Sequence, residues 1–265
     1  MAAPPPHDFL PFALRLAAAA RTETLPRWRT GCASEDKGGM ADYDPVTDAD
    51  REAERTMRAL IEAEFPGHGI AGEEFPDRAG DGPWSWSLDP VDGTRSFTCG
   101  LLNWVTLIAL LYEGQPVLGV IDAPALDELY VGCGATALLR QGGNEAPLRA
   151  SDCRDLGEAR FSTTDPYLFT GAEADAFETL RRRVRTMRYG HDGYGYARVA
   201  AGTLDLVVEC VLKPHDYNAL IPVVRAAGGI IGDWRGGDDF APGKVIAAAT
   251  PELFADAVAA MEGAA

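Results

Sequence analysis

The chain has 265 residues, with 40 Asp plus Glu against 24 Lys plus Arg, a formal net charge of −16. Hydrophobic residues make up 46% and charged residues 24%, enough apolar side chain for one large domain or two small ones and too much for a disordered chain. The acidity argues against nucleic acid, whose phosphates draw basic faces, and no apolar run approaches the roughly 20 residues of a membrane span.

A first helix is expected over 8–30: Phe9, Phe12, Ala13, Leu16 and Ala20 recur at helical spacing, and Asp8 can cap it. Its interior Asp8 and Arg15 and the lack of a basic lead argue against a signal peptide. Residues 31–46 read as loop, because Gly38, Gly39 and Pro45 break any period. A second helix is predicted over 48–65, with Thr47 and Asp50 as a capping box and Ala53, Met57, Leu60 and Ile61 as its apolar stripe. Strands follow at 84–88, 104–112, 116–121, 129–131 and 137–140. The run Trp104 to Tyr112 is nearly all apolar, as in a strand buried on both faces. Beyond 150 the texture alternates. Strands are expected at 160–163, 185–189, 204–209, 229–234 and 245–249, with helices at 172–183, 194–201, 216–227 and 251–261. Pro251 suits the first turn of the last helix. The five cysteines (Cys32, Cys99, Cys133, Cys153 and Cys210) form no C-x-x-C pair and no zinc spacing, the pattern of free thiols in a reducing cytosol.

Four acidic clusters carry the chemistry: Asp48/Asp50, Glu73-Glu74, Asp89-Pro90-Val91-Asp92-Gly93-Thr94, and Lys213-Pro214-His215-Asp216. Taken singly, each has a plainer role. Asp-Pro and Asp-Gly are turn dipeptides, Asp50 is a helix cap, Glu73-Glu74 a solvated pair, and His215-Asp216 a cap. Taken as a six-residue string closing a buried strand, the third cluster presents two carboxylates that can hold a hard divalent cation. Gly93 lets backbone approach a ligand, and N–H groups at Gly93 and Thr94 can hold phosphate if a helix starts there.

The stretch Trp86-Ser87-Leu88-Asp89-Pro90-Val91-Asp92-Gly93-Thr94 resembles the signature of the inositol-monophosphatase family of Mg²⁺-dependent phosphatases. So do Pro45-Val46-Thr47-Asp48-Ala49-Asp50, Ala71-Gly72-Glu73-Glu74 and Lys213-Pro214-His215-Asp216-Tyr217-Asn218-Ala219, in the family's order over nearly the whole chain. The resemblance implies an α+β fold, a layered αβαβα sandwich of the metal-dependent sugar-phosphatase type. Residues 1–150 would form an N-terminal half with most metal ligands. Residues 151–265 would carry the substrate side and the last metal Asp. It implies Glu73, Asp89, Asp92, Asp216 and the backbone carbonyl of Val91 as ligands of two or three Mg²⁺ ions. Asp50, Thr94 and Glu73 become catalytic, with Asp50 and Thr94 orienting and deprotonating the attacking water. Gly93, Thr94, Arg95, Asp192 and Glu209 fall on the substrate. A haloacid-dehalogenase-type aspartyl phosphatase also has a motif ending Asp-Gly-Thr, but separates its aspartates by one residue, where Asp89 and Asp92 are separated by two.

Within the family the stretches Asp92–Phe97, Thr106–Asp122 and Arg188–Glu209 look like the histidinol-phosphate phosphatases, and a cationic substrate would suit Asp192 and Glu209. The plainer reading is a helix cap for Asp192 and a strand-end charge for Glu209. The sequence departs from that subgroup at His191, Gly193 and His215, substitutions expected to leave the metal site untouched. The expectation is a cytoplasmic homodimer acting on a small phosphate monoester, without nucleic-acid or membrane partners. The alternatives are an inositol monophosphatase or other small-ester phosphatase, and a non-catalytic binding protein on the same scaffold. A complete carboxylate set disfavours the last.

Overall fold

The computed structural model describes residues 5–30, 34–36 and 45–262. Cys32, most of the expected 31–46 loop and the side chains of Pro45 and Val46 lie outside the described residues. Helix α1 is Leu10–Thr24, preceded by a single 3₁₀ turn, and α2 is Asp48–Glu64. Between them Ser34–Asp36 (β1) pairs antiparallel with Pro45–Thr47 (β2), where loop alone was expected.

A seven-stranded sheet follows in chain order: β3 Gly69–Gly72, β4 Trp84–Asp92, β5 Val105–Tyr112, β6 Gln115–Ala123, β7 Glu128–Cys133, β8 Thr136–Gln141 and β9 Asn144–Pro147. Only the β3–β4 pair is parallel. A five-stranded sheet runs β11-β10-β12-β14-β13, from β10 Arg160–Thr163, β11 Thr186–Tyr189, β12 Leu206–Glu209, β13 Ile230–Asp233 and β14 Val245–Ala248. Its first three strands are parallel and its last two pairings antiparallel. The remaining helices are α3 Thr94–Thr98, α4 Ala172–Arg181, α5 Asp192–Ala200, α6 Pro214–Tyr217, α7 Leu220–Ala226 and α8 Pro251–Met261.

Three cores order the layers. Phe12, Leu16, Met57 and Ile61 of α1 and α2 pack on one face of the large sheet with Trp86, Ile108 and Leu110. The alternate residues Val105, Leu107 and Ala109 pack against Tyr196, Val199, Val223 and Val224 of α5 and α7, which also meet Val207 and Ala247 of the small sheet. On the small sheet's outer face, Phe161, Leu206 and Ile246 meet Phe177 of α4 and Leu253 and Ala257 of α8. The order is αβαβα, as expected. β5 reads as an unbroken apolar run because odd and even residues enter different cores.

Some expectations fail for local reasons. Asp8 does not cap α1; it sits inside the 3₁₀ turn, and no side-chain cap bond forms at either start. The expected helix at 216–227 is two: Pro222 has no N–H to donate back to Asn218, so α6 ends and α7 restarts with Pro222 in its first turn. Strands β3 and β9 have too few residues for a period and were not foreseen. Two glycines allow the central helices to approach the sheet. A Cβ on Gly119 would meet the Ala219 carbonyl at 2.1 Å, and one on Gly132 the Pro222 carbonyl at 2.3 Å. Among the described residues no helix is long and apolar enough to cross a membrane, and Cys99, Cys133, Cys153 and Cys210 are free thiols.

Candidate metal centre and substrate cavity

The site lies where β4 ends. Pro90 cannot donate a ladder hydrogen bond, and the β4–β5 register slips between Asp89 and Asp92, a bulge of one residue. The Thr106 hydroxyl fastens the bulge by donating to the Pro90 carbonyl at 2.7 Å. Asp89 is buried, with one oxygen accepting from the Val91 N–H at 3.1 Å. Gly93 then turns the chain at φ +86° into α3. A side chain there would be strained and would press on the Asp192 carboxylate at 3.1 Å.

Asp216 comes from the other half of the chain, on the first turn of α6, where it accepts from the Lys213 N–H at 2.6 Å. Oxygens of Asp89, Asp92 and Asp216 lie within 4.8 Å of one another, an all-carboxylate set suited to a hard cation. Glu73 follows β3, which pairs with β4, and so stands beside Asp89. Crowding shows in the proton affinities. Burial, with Glu73, Asp92, Asp216 and Asp50 adding to it, holds the Asp89 carboxyl well above its usual range. Burial does the same to Asp92, with Asp192 and Asp216 adding to it, and raises Asp216, with His215 opposing. A divalent cation relieves such repulsion, and the oxygen donors fit one.

Asp50 and Thr94 lie together in the structure. The Thr47 N–H and hydroxyl both donate to one Asp50 oxygen, at 3.0 and 2.5 Å. The same hydroxyl accepts from the Ala49 N–H at 3.1 Å, and Thr47 and the N3 residue Asp50 form the capping box of α2. The Thr94 hydroxyl lies 2.9 Å from the Val91 carbonyl and 3.4 Å from the other Asp50 oxygen. Burial pushes Asp50 up to about 7, with the Thr47 bonds opposing and Glu74 and Glu73 adding.

A cavity of about 340 Å³ opens over these groups, and Gly93, Thr94, Arg95, Asp192 and Glu209 all line it. Arg95 is exposed at the rim, 3.5 Å from Asp165. Asp192 is not the cap of α5. His191 occupies that position, and Asp192 is the first helical residue, at φ +45°, a conformation that costs a non-glycine residue energy and is frequent at functional sites. Burial pushes its carboxyl to about 7, with Arg95 opposing. Glu209 is buried at the end of β12, where one oxygen accepts from the Thr164 N–H at 2.8 Å and hydroxyl at 3.0 Å. Burial, reinforced by Asp192, pushes it to about 8.

Two of the three departures reach the carboxylates. The Gly193 N–H donates to an Asp92 oxygen, and a Cβ at 193 would meet that oxygen at 2.5 Å. A ring nitrogen of His215 lies within 4.8 Å of oxygens of both Glu73 and Asp89. The expectation that these positions leave the metal site untouched is therefore corrected. His191 stays outside, sharing a 2.8 Å hydrogen bond with Ser162.

Sequence reasoning missed two residues. Glu54, fully buried on α2, accepts from the Glu74 N–H at 2.8 Å and from Arg58 at 2.7 Å, and so anchors the turn that carries Glu73. The Glu54–Arg58 spacing was the available signal. Tyr196 lines the cavity with a buried hydroxyl that has no hydrogen-bond partner among the described residues; its place in a helical apolar stripe disguised it.

The model of the inositol monophosphatase family matches residues 6–264. The chain is 43% identical over 197 residues, 74% of its length, to a protein of Arabidopsis thaliana named bifunctional phosphatase IMPL2, chloroplastic; the match spans 56% of that protein. It is 35% identical over 254 residues to the histidinol-phosphatase of Chlorobaculum parvum, covering 95% of this chain and 96% of the relative. A solved inositol monophosphatase from Zymomonas mobilis superposes with a TM-score of 0.84 at 39% identity, over 97% of this chain and 98% of that one.

Proposed function

The chain belongs to the inositol monophosphatase family, and on that premise we propose that it hydrolyses histidinol phosphate to histidinol and phosphate with Mg²⁺. The observation that carries this reading is the pair of carboxylates, Asp192 and Glu209, in the lining of the cavity. Glu209, buried at the end of β12, and Asp192, half-buried beside Gly93, are complementary to the amine and imidazole of the substrate. Glu73, Asp89, Asp92, Asp216 and the Val91 carbonyl would hold the metal. When bound, Mg²⁺ supplies Lewis-acid polarisation of the phosphate, activation of water and stabilisation of the leaving oxygen. Thr94, pinned between the Val91 carbonyl and Asp50, orients a water for attack. Asp50, with an affinity for protons near neutrality, takes the proton through Thr94. Gly93 and Thr94, at the start of α3, hold phosphate through their N–H groups, and Arg95 meets it from the rim. No covalent phosphoenzyme is required.

The reading also carries a cytosolic homodimer, in which Leu101 and Leu102, exposed beside α3, offer apolar surface for pairing. The similarity to an inositol monophosphatase at 39% identity supports a second reading, a neutral polyol phosphate as substrate.

Phosphate release from histidinol phosphate, inositol 1-phosphate and other small esters, with Mg²⁺ and with chelator, separates these readings. Fastest turnover of histidinol phosphate is expected, abolished by chelator and by Asp92→Asn in a folded protein. Faster turnover of inositol phosphate favours the second reading, and no release from any ester leaves only a binding protein.

A further inference from the structure

The two donor groups at the site differ chemically. Asp89, Asp92 and Asp216 offer only oxygen, whereas Glu73, Asp89 and His215 offer two oxygens and an imidazole nitrogen. His215 is in place for a structural reason. Pro214 opens α6 and Asp216 caps it, so the residue between them projects from the same first turn that delivers the Asp216 carboxylate. Its side chain is only 14% exposed, and its Nε2 stands 3.4 Å from Asp216. The same cavity is lined by Tyr196, 1% exposed, whose buried hydroxyl has no hydrogen-bond partner among the described residues.

We propose that His215 is a nitrogen donor which, with Glu73 and Asp89, makes this position a site for a borderline divalent transition ion such as Zn²⁺. Imidazole suits zinc, iron and nickel, while carboxylate, carbonyl and water suit magnesium and calcium. Zinc bonds to nitrogen and oxygen are about 2.1 Å, so donors sharing one ion lie within about 4.2 Å of each other. Donors already within 4.8 Å close by about 1.4 Å or less to reach the roughly 3.4 Å spacing of a tetrahedral zinc site. Asp89 belongs to both groups and would bridge a transition ion here and a harder ion in the all-carboxylate group. The inference rests on the metal-dependent reading of the site and deepens it, by distinguishing the ion preferences of its two halves.

The test uses the full chain, stripped of metal, with histidine ¹⁵N-labelled. The chain has four histidines, and the other three are engaged elsewhere: His7 with Thr136, His68 with Trp86, and His191 with Ser162. On adding Zn²⁺, one imidazole nitrogen resonance should move to a metal-bound position. His215→Phe should abolish that signal and weaken Zn²⁺ binding, measured by calorimetry, by about tenfold or more, with Mg²⁺ binding changed less than about threefold. Zn²⁺ binding that leaves all four imidazoles unmoved overturns the proposal, and this needs no variant. Equal weakening of Zn²⁺ and Mg²⁺ in His215→Phe also overturns it, since a merely structural role would produce that result. If the wild-type chain binds neither ion, the phosphatase reading falls with it; if Mg²⁺ binds and the imidazoles stay silent, only His215 falls.

Discussion

Replacing Glu209 by Gln changes one charge and almost no shape. The Thr164 N–H and hydroxyl both donate to the same Glu209 oxygen, and a glutamine carbonyl can accept both, so β12 should keep its end. What is lost is an anion 3% exposed to solvent. A hydrogen bond to a charged partner is worth about 1.5–3 kcal/mol in a buried site, which corresponds to roughly ten- to hundredfold in kcat/KM. Glu209→Gln should therefore lose about that factor with histidinol phosphate, and less than about threefold with a neutral polyol phosphate. The pH dependence gives a second reading of the same group. Burial, then Asp192, holds free Glu209 near 8, so a cationic ester must wait for the carboxylate to ionise. Its kcat/KM should rise with pH toward about 8, and Glu209→Gln should flatten that limb. Steady-state kinetics on both esters from pH 6 to 9 measure this. Equal losses on both esters, or an unchanged limb in the variant, would refute the role given to Glu209.

Three further outcomes are expected. Asp50 and Asp192, each raised to about 7, and Glu209, raised to about 8, hold protons in the folded chain that the unfolded chain releases near its ordinary carboxylate values. Their stabilising contribution is complete below about pH 4 and is lost as pH rises through 7 to 8. The melting temperature of metal-free protein should thus fall between pH 5 and 8, and Mg²⁺ should restore more at pH 8 than at pH 5; a rising metal-free curve would contradict the sign. Thr94→Ala should lower kcat by about 10²–10⁴-fold with little change in KM, whereas Thr94→Ser keeps the hydroxyl and most of the rate; a fully active alanine variant removes Thr94 from the proton path. Away from the cavity, Arg21 bonds the fully buried Asp122 at 2.6 and 2.8 Å. Arg21→Met should cost about 3–5 kcal/mol in denaturant unfolding by leaving that charge unpaired, with partial recovery in the Arg21→Met/Asp122→Asn double variant; recovery failing entirely would mean that packing rather than charge dominates.

The turn at the end of β4 was legible because it is local. Asp89, Pro90, Asp92 and Gly93 are joined by short covalent distances, and Pro90 and Gly93 each restrict the backbone in a way their residue type announces. The capping box of Thr47 and Asp50 was legible for the same reason. The helix at 216–227 was misjudged because a continuous apolar stripe says nothing of the proline's missing N–H, and Asp8 because a capping residue competes with a 3₁₀ turn that its own sequence does not advertise.

The amino-acid sequence by itself determined the acidic character, the order of most elements, the apolar double-sided strand β5 and the likeness of four motifs to one family. Periodicity and short-range backbone chemistry act within a few residues, and a linear string records them. Only the tertiary structure decided that Glu54 anchors the Glu73 turn from α2, that the Gly193 N–H of α5 bonds Asp92, and that the His215 ring stands beside Glu73 and Asp89. These contacts join residues 20, 101 and 126 or more positions apart. They exist because helices packed between two sheets carry side chains from distant segments into one cavity, a placement set by the packing of the layers.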